Sequence, residues 1–461
     1  MQQIRHPLNA GDATLDAEPF GMRIRLDYGK TGLNADFPDA NLAAVLTLAP
    51  APPLADPPQA IRKALDHPLH ALPLTHSAQG KKSACIVVCD LTRPVPNAVL
   101  LPPLLEQLAR AGIGDNAVTV LIATGTHRPN TPEEIVQLLG VDLAHRLRVV
   151  NHDCADKEAH RSFGTTPRGV PVFLDRAYTD ADVRITVGLI EPHFMAGYSG
   201  GRKLVMPGIA ALETIQAWHS PRFLEHPNAR AGVVDQNPVH EENTYIAGLC
   251  PPDLMIDVTL DAARRITGVF AGHFIRAWQA GIAFCEQQAR AVLSGGPADI
   301  VVTTGAGWPL DATYYQAVKG MVGALPVIKP GGDIIIASEC SEGVGGPHFT
   351  RLLQQTPDLP ILVKQMQAPE WRVIPDQWQV EELAKAVRHA RIILVSALPP
   401  ALVPSLHCHP APTVEAALAD AFHRHGSAAR VVVVPKGPYV LAELESTPFV
   451  APGQADVLQS P

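Results

Sequence analysis

Short apolar segments alternate with amphipathic segments along most of this chain, and this alternation is the feature that most constrains the fold. Short continuous apolar runs are typical of buried strands, while apolar residues spaced three and four apart are typical of helices. When the two kinds of segment alternate, the strands usually run parallel and the helices cover the sheet. The sequence therefore predicts an α/β fold.

The alternation occurs in two blocks, separated by the helical pattern "IRAWQAGIAFCEQQARAVL" near residue 280. The clearest strand patterns are "SACIVVCD", "AVTVLIATG", "LRVVNH" and "DVRITVGLI" in the first block, and "DIVVTTG", "GGDIIIASE", "RIILVSA" and "RVVVVPKG" in the second. A chain of 461 residues is also too long for one ordinary core. We predict two domains, residues 1–277 and 278–461, each a mainly parallel sheet covered by helices, with the active site in the cleft between them.

Composition and charge indicate a globular protein that acts on a small molecule. The chain is 46% apolar and 18% charged, and its formal net charge is -8 without a long basic run, which argues against a nucleic-acid partner. No apolar run is long enough to span a bilayer, and "MQQIRHPLNAGDATLDAEPFG" lacks the apolar core of a secretory signal. These observations predict a cytoplasmic location and no membrane partner.

Signals for disulfides and for structural metal sites are weak. The seven cysteines are scattered and form no CxxC pair, so we predict that they are reduced and mostly buried. His152, Asp153 and Cys154 are consecutive, but adjacent residues of an extended chain point in opposite directions. A metal site made from these three residues is therefore not expected.

Unusual polar residues follow the predicted strands, at the end where open α/β sheets place their ligands. They are Asp90 and Arg93 after "SACIVVC", His127 after "VTVLIA", His193 after "RITVGLI", the loop of Gly200, Gly201 and Lys203, and Gln316 and Lys319 after "DIVVTTG". Each has an ordinary alternative explanation, such as a helix cap, a surface histidine or a solvated helix face. Their coincidence at one end of the strands favours a site.

Taken in order, these residues resemble a known family. The blocks "DLTRP", "GTHRP", "EPHFMAGYSGGRK", "AWHS" and "YYQAVKG" are similar to the nickel-dependent lactate racemase family, and the resemblance extends from about Asp90 to Gly346. The spacing is coherent, with ten residues from His193 to Lys203 and sixteen from Lys203 to His219. Each motif alone is weak, whereas the ordered set is specific.

The resemblance implies a tethered metal cofactor. Lys203 would be joined covalently, through a thioamide, to the pyridinium-3-thioamide-5-thiocarboxylic acid mononucleotide, called the nickel-pincer nucleotide. This cofactor holds nickel through carbon and two sulfurs, and His219 would supply the remaining ligand. Gly200, Gly201 and Asp90 would lie beside it, and glycines let the backbone approach a flat group closely. Separate cofactor-maturation enzymes would be partners of the protein.

The resemblance also implies the reaction, racemisation or epimerisation of a 2-hydroxy acid by proton-coupled hydride transfer through a 2-keto acid. His127 and His193 would be the acid-base pair, because imidazole has a pKa near ~6.5 and exchanges protons near neutrality. The residues expected to bind substrate, mainly its carboxylate, are Arg93, Gln316, Lys319 and their neighbour Tyr315.

The sequence does not identify the substrate, and it leaves two alternative functions to be considered. The side chains around the C3 substituent of the substrate are expected among Phe194, Met195, Trp308 and Tyr314, and Thr313 stands where the family pattern predicts asparagine. A nicotinamide-dependent oxidoreductase would need an added dinucleotide and would tolerate nickel removal. A non-catalytic hydroxy-acid-binding relative would never receive the cofactor.

Overall fold

The computed structural model describes residues 21–261, 263–368 and 370–445. The N-terminal stretch on which the predicted location depends lies outside these ranges, apart from Gly21. Among the described helices, none combines the length and the apolar character needed to cross a membrane.

Twenty strands form the sheets of the described chain. They are β1 (Met22–Leu26), β2 (Leu33–Phe37), β3 (Leu42–Val45), β4 (Ala84–Cys89), β5 (Val118–Ala123), β6 (Arg148–Asn151), β7 (His160–Thr165), β8 (Pro171–Asp175), β9 (Val183–Leu189), β10 (Pro192–His193), β11 (Gly197–Tyr198), β12 (Leu254–Leu260), β13 (Ile266–Gly272), β14 (Arg290–Leu293), β15 (Ala298–Thr304), β16 (Ile328–Ala337), β17 (Arg391–Val395), β18 (His409–Ala411), β19 (Val431–Val434) and β20 (Leu441–Leu444).

Fifteen α-helices connect or cover these strands within the described ranges. They are α1 (Pro57–Asp66), α2 (Leu74–Ser77), α3 (Asn97–Arg110), α4 (Pro132–Leu139), α5 (Val141–Arg146), α6 (Arg176–Thr179), α7 (Leu212–Trp218), α8 (Pro221–Leu224), α9 (Pro238–Leu249), α10 (Arg276–Ala289), α11 (Tyr314–Ala324), α12 (Pro347–Gln355), α13 (Leu359–Met366), α14 (Gln377–His389) and α15 (Val414–His425). Helix α4 begins with a reciprocal capping box formed by Thr131 and Glu134.

Two six-stranded sheets confirm the predicted α/β fold with two domains. The first has the order β13-β12-β9-β4-β5-β6, and only its edge strand β13 is antiparallel. The second, β18-β17-β16-β15-β19-β3, is parallel throughout. The inner strands of both sheets are almost wholly buried because helices cover both faces, as continuous apolar runs require, whereas the edge strands β3, β6 and β18 are partly exposed.

The order of strands in the first sheet determines where a ligand can bind. From β4 the chain moves through β5 and β6 on one side, and it then returns to β9 and β12 on the other side of β4. Adjacent loops therefore leave the carboxyl ends of β4 and β9 in opposite directions, which opens a crevice at this switch point. The segments that follow β4, β5 and β9 carry Asp90 and Arg93, His127, and His193, respectively.

Two long-range pairings depart from the sequence patterns. Strand β3 adds to the second sheet by pairing with β19, so part of the N-terminal segment packs with the C-terminal half of the chain. Residues 290–293, which continue the helical pattern in the sequence, instead form β14 and pair with β20. The predicted division at residues 277 and 278 stays a prediction, and β3 is a segment that crosses it.

Candidate active site between the two domains

One cavity brings most of the predicted site residues together. The predicted residues that line it are Asp90, Arg93, His127, His193, Gly200, Lys203, His219, Tyr315 and Lys319. Gly201 and Gln316 lie next to lining residues in the chain but do not line the cavity themselves. The first-domain loops supply one wall, and helices α11 and α14 of the second domain supply the opposite wall.

His127 is oriented by a carboxylate. Its Nδ1 lies 2.6 Å from Asp90 Oδ2, and Thr92 donates its hydroxyl to the other oxygen, Oδ1, at 2.6 Å. Burial acts to raise the pKa of Asp90, but the His127 charge and hydrogen bonds outweigh it and the pKa is lowered. Because an ionised carboxylate only accepts, Nδ1 carries the proton, and a neutral His127 keeps its lone pair on Nε2. This is the arrangement of an oriented general base.

His193 is held differently, inside the short hairpin of β10 and β11. Its Nδ1 accepts from the backbone N–H groups of Ala196, at 3.2 Å, and Met195, at 3.4 Å. Burial, followed by the positive charges of Lys203, Arg93 and Lys319, holds the pKa of His193 well below its ordinary value of 6.5. The ring is therefore neutral at physiological pH.

Three charged side chains meet on the side of the cavity near β9. Arg93 Nε is 3.0 Å from Glu191 Oε1, and both side chains are largely buried. Burial raises the pKa of Glu191 despite the opposing charges of Arg93 and Lys319. Burial and the Arg93 charge lower the pKa of Lys319 to about 7, against the attraction of Glu191 and Asp90. Sequence reasoning missed the Glu191 partner.

The loop that carries Lys203 is fixed from beneath by Asp257 of β12. Asp257 Oδ2 accepts the Gly201 N–H at 2.7 Å, and burial raises the Asp257 pKa to about 7. Gly200 has φ +76°, and a Cβ there would lie 2.4 Å from Asp257 Oδ2. The structure therefore gives the glycines a packing reason in addition to the predicted approach to a cofactor.

Lys203 is partly buried and has several cationic neighbours. Burial is the main cause of its lowered pKa, and the charges of Arg202, Arg93 and Lys319 add to it. The pKa is held well below the ordinary value of 10.5, so the side chain tends toward a neutral amine. A neutral lysine amine is the form that acts as a nucleophile.

His219 ends helix α7 and lies between two indole rings. Its ring centroid is 4.0 Å from that of Trp218 and 4.5 Å from that of Trp378. Its Nδ1 is buried and has no hydrogen-bond partner in the described part of the chain. Burial and the Lys203 charge keep the His219 pKa well below 6.5, which leaves a neutral imidazole.

The second domain contributes residues from two helices. Lys319 lies one turn after Tyr315 on α11, and Gln316 is buried with its Oε1 lacking a hydrogen-bond partner among described residues. The first turn of α14 places Trp378 and Gln379 in the cavity wall, where Trp378 Nε1 donates to the Tyr315 hydroxyl at 2.8 Å.

Two of the four side chains predicted around the C3 substituent line the cavity, and their contact with substrate stays a prediction. Phe194 and Met195 line the cavity, but Trp308 and Tyr314 do not. The Tyr314 hydroxyl donates to the Leu406 carbonyl inside the second domain, and the Trp308 ring lies under Lys30. The start of α11 directs Tyr314 into the core of the second domain, and Trp308 lies outside the cavity lining, so neither residue is where this cavity would place a C3 substituent.

Two protein-family models match this chain. Residues 28–232 match the family model described as "Lactate racemase N-terminal domain", and residues 293–442 match "Lactate racemase C-terminal domain". The two models together cover most of both sheets.

Two relatives of known sequence and one solved structure extend the comparison over most of the chain. The lactate racemase of Lactiplantibacillus plantarum is 36% identical over 428 residues, which span 91% of this chain and 99% of that protein. The lactate racemase of Thermoanaerobacterium thermosaccharolyticum is also 36% identical, over 81% of this chain and 88% of that protein. A solved structure of the T. thermosaccharolyticum lactate racemase apoprotein has a TM-score of 0.86 and 34% identity, with 92% of this chain and 100% of that chain covered.

Proposed function

The chain belongs to the lactate racemase family and is an isomerase, and from this premise we propose that it racemises or epimerises a 2-hydroxy acid, lactate or a larger relative. The observation that carries the proposal is the presence of His127, His193 and Lys203 in the lining of one cavity. A racemase needs a proton-transfer group for each configuration of the substrate, whereas a dehydrogenase needs one. We propose these two histidines as that pair.

Hydride transfer avoids a difficult intermediate. Removing the α-proton of a 2-hydroxy acid would place a carbanion beside a carboxylate, where little stabilises it. In the proposed reaction one histidine takes the hydroxyl proton as the α-hydrogen leaves with its electron pair, which gives a planar 2-keto acid. When bound, the nickel-pincer nucleotide supplies the hydride acceptor and donor that no side chain can supply.

Residues of the cavity fit the proposed cofactor. Lys203 offers an amine that tends toward neutrality, and His219 offers a buried imidazole nitrogen, Nδ1, without a partner in the described residues. Nickel accepts imidazole nitrogen, and only the neutral ring can bind a metal. We propose that Lys203 holds the tether and that His219 ligates nickel, with Asp90, Gly200 and Gly201 nearby. The apoprotein state of the solved relative supports a cofactor-dependent enzyme.

The cationic side of the cavity is suited to the substrate carboxylate. Arg93 contacts the Glu191 carboxylate through Nε and also lines the cavity, and a guanidinium has further N–H groups that can bind a second carboxylate. We propose that Arg93 and Lys319 bind the substrate carboxylate, and that Gln316 and Tyr315 complete this region. Maturation enzymes that build the cofactor would be the protein partners, and the cytoplasmic location stays a prediction.

We expect the affinity for a substrate-like anion to decrease as pH rises through about 7. Lys319, whose pKa is about 7, is protonated below this pH and neutral above it, so the attraction for a carboxylate is lost. The dissociation constant of 2-hydroxy-2-methylpropanoate, which has no α-hydrogen to transfer, should rise by at most about tenfold per pH unit.

Calorimetric titration across this pH range measures the effect. The Lys319→Met variant should bind the anion weakly with a flatter pH dependence, while the exposed control Lys82→Met should behave like the native chain. An affinity of the native chain that stays constant through pH 7 contradicts a carboxylate-binding role for Lys319.

Isotope tracing tests the proposed function directly. Native protein produced together with cofactor-building enzymes is incubated in ordinary water with one enantiomer of α-deuterated lactate, and the products are separated on a chiral column. Hydride transfer predicts that the opposite enantiomer forms and retains its deuterium, because hydride does not exchange with water. Loss of the label points to proton abstraction. Turnover only with an added dinucleotide points to an oxidoreductase, and no turnover of any 2-hydroxy acid points to a binding protein.

A further inference from the structure

A second cluster of chemically active side chains lies behind the cavity wall. His152 follows β6, His160 begins β7 and Asp175 ends β8. They are 3%, 5% and 6% exposed, and one potential ligand atom from each lies within 4.8 Å of the others. The two imidazole rings are nearly perpendicular, with centroids 5.1 Å apart.

Backbone carbonyls fix the tautomer of both rings. His152 Nε2 is 3.0 Å from the Ala210 carbonyl, and His160 Nδ1 is 2.7 Å from the Asp156 carbonyl. A carbonyl oxygen only accepts, so these two nitrogens carry protons. In neutral rings the lone pairs then lie on His152 Nδ1 and His160 Nε2. Metal-binding histidines commonly show this pattern, in which the other ring nitrogen donates to a carbonyl or carboxylate.

Protein groups of the described residues alone do not provide hydrogen-bond donors for all three remaining acceptor atoms, which are His152 Nδ1, His160 Nε2 and Asp175 Oδ2. His152 Nδ1 lies 2.8 Å from Asp175 Oδ2, a distance that requires a positive charge between two acceptors. A proton on Nδ1 would supply it, but His160 Nε2 would remain buried without a hydrogen-bond partner among the described residues. A cation bound by all three atoms satisfies every acceptor at once.

We propose that His152, His160 and Asp175 bind one divalent transition-metal ion, with zinc as the probe. Two imidazole nitrogens and one carboxylate oxygen are donors that zinc accepts, whereas calcium and magnesium prefer oxygen alone. Zinc is usually four-coordinate at roughly 2.0–2.2 Å from such donors, so His152 Nδ1 and Asp175 Oδ2 would separate slightly and one water would complete the shell. Asp175 Oδ1 already accepts the Ala177 N–H at 2.8 Å, which orients the other oxygen toward the histidines.

The ion would stabilise the back of the cavity. Asp175 also contacts the segment that follows Lys203. Its backbone N–H donates to the carbonyl of Ile209, the neighbour of Ala210, at 3.0 Å. The Thr124 hydroxyl donates to the His152 carbonyl at 2.7 Å, and Thr124 lines the cavity. The proposed ion would therefore stabilise the contact between the segment that precedes His127 and the segment that follows Lys203. The proposed site contains none of the residues proposed to bind nickel.

Zinc stoichiometry tests this site without reference to activity. The full-length chain, made without cofactor and carrying His219→Ala so that the nickel position cannot contribute, is stripped with a chelator, exposed to limiting zinc and desalted. Elemental analysis should find about one zinc per chain, and zinc should raise the melting temperature. Adding His160→Gln should remove both effects, while adding His145→Gln, at an exposed position, should change neither.

Retention of the same amount of zinc after His160→Gln, or absence of zinc from the parent chain, overturns the proposal. In the second case His152 and Asp175 share a proton and form an ordinary buried ion pair. If His160→Gln prevents folding, cobalt added to the chain with His160 intact decides the question. Four-coordinate cobalt has strong visible absorption, and its absence excludes the site.

Discussion

The Lys203→Ala variant is expected to carry no cofactor adduct and to have no racemase activity when it is produced with the cofactor-building enzymes. The proposed tether forms at the lysine amine, and alanine has none. The position favours acylation because burial, helped by the charges of Arg202, Arg93 and Lys319, lowers the Lys203 pKa and leaves a nucleophilic amine. Intact-mass spectrometry should show extra mass on the native chain and none on the variant.

Two further variants separate loss of the tether from loss of the fold. Lys203→Met keeps the length of the side chain without the buried amine, so its melting temperature should equal or exceed that of the native chain while adduct and activity are lost. Lys81→Ala, at an exposed position, should keep both. An adduct of equal mass on Lys203→Ala would show that the cofactor is attached elsewhere or not covalently.

Local sequence patterns were sufficient to predict the α/β fold class. They also predicted that the site lies at the carboxyl ends of particular strands. The strand patterns "SACIVVCD" and "DVRITVGLI" correspond to β4 and β9, which are neighbours in the first sheet. The carboxyl ends of neighbouring parallel strands lie at the same edge of a sheet, so polar residues that directly follow these strands are close together. This proximity does not depend on how the connecting helices pack. For this reason Asp90, His127 and His193 lie in one cavity, as the sequence predicts.

Contacts between distant segments were not predictable in the same way. Strand β3 pairs with β19 across almost the whole chain, and no local pattern encodes that partner. Trp378 and Gln379 begin an ordinary helical pattern, but docking of α14 against α11 buries them beside Tyr315. Glu191 was visible in a loop after β9, yet its partner Arg93 follows β4, and the ion pair depends on the sheet order.

Replacing either proposed acid-base histidine should slow racemisation by roughly 10² to 10⁴ and should do so in both directions. In the proposed reaction each enantiomer gives its hydroxyl proton to one histidine and receives it from the other on its return. Both histidines are therefore used whichever enantiomer is supplied. The variants His127→Asn and His193→Asn keep a hydrogen-bonding side chain but no group that titrates near neutrality.

The two variants should differ in the first half of the reaction. Each keeps one histidine, so each should still convert one enantiomer to the 2-keto acid within a single turnover, and the enantiomer should be opposite in the two variants. Rapid acid quench followed by trapping of the keto group measures this conversion.

The Asp90→Asn variant should slow the conversion of the same enantiomer that His127→Asn affects. The reason is that Asp90 Oδ2 orients the His127 ring through Nδ1, which lies 2.6 Å away. The exposed control His145→Asn should react with both enantiomers. If both single variants lose the same enantiomer, the histidines do not serve opposite faces, and the cavity geometry supports one base instead of two.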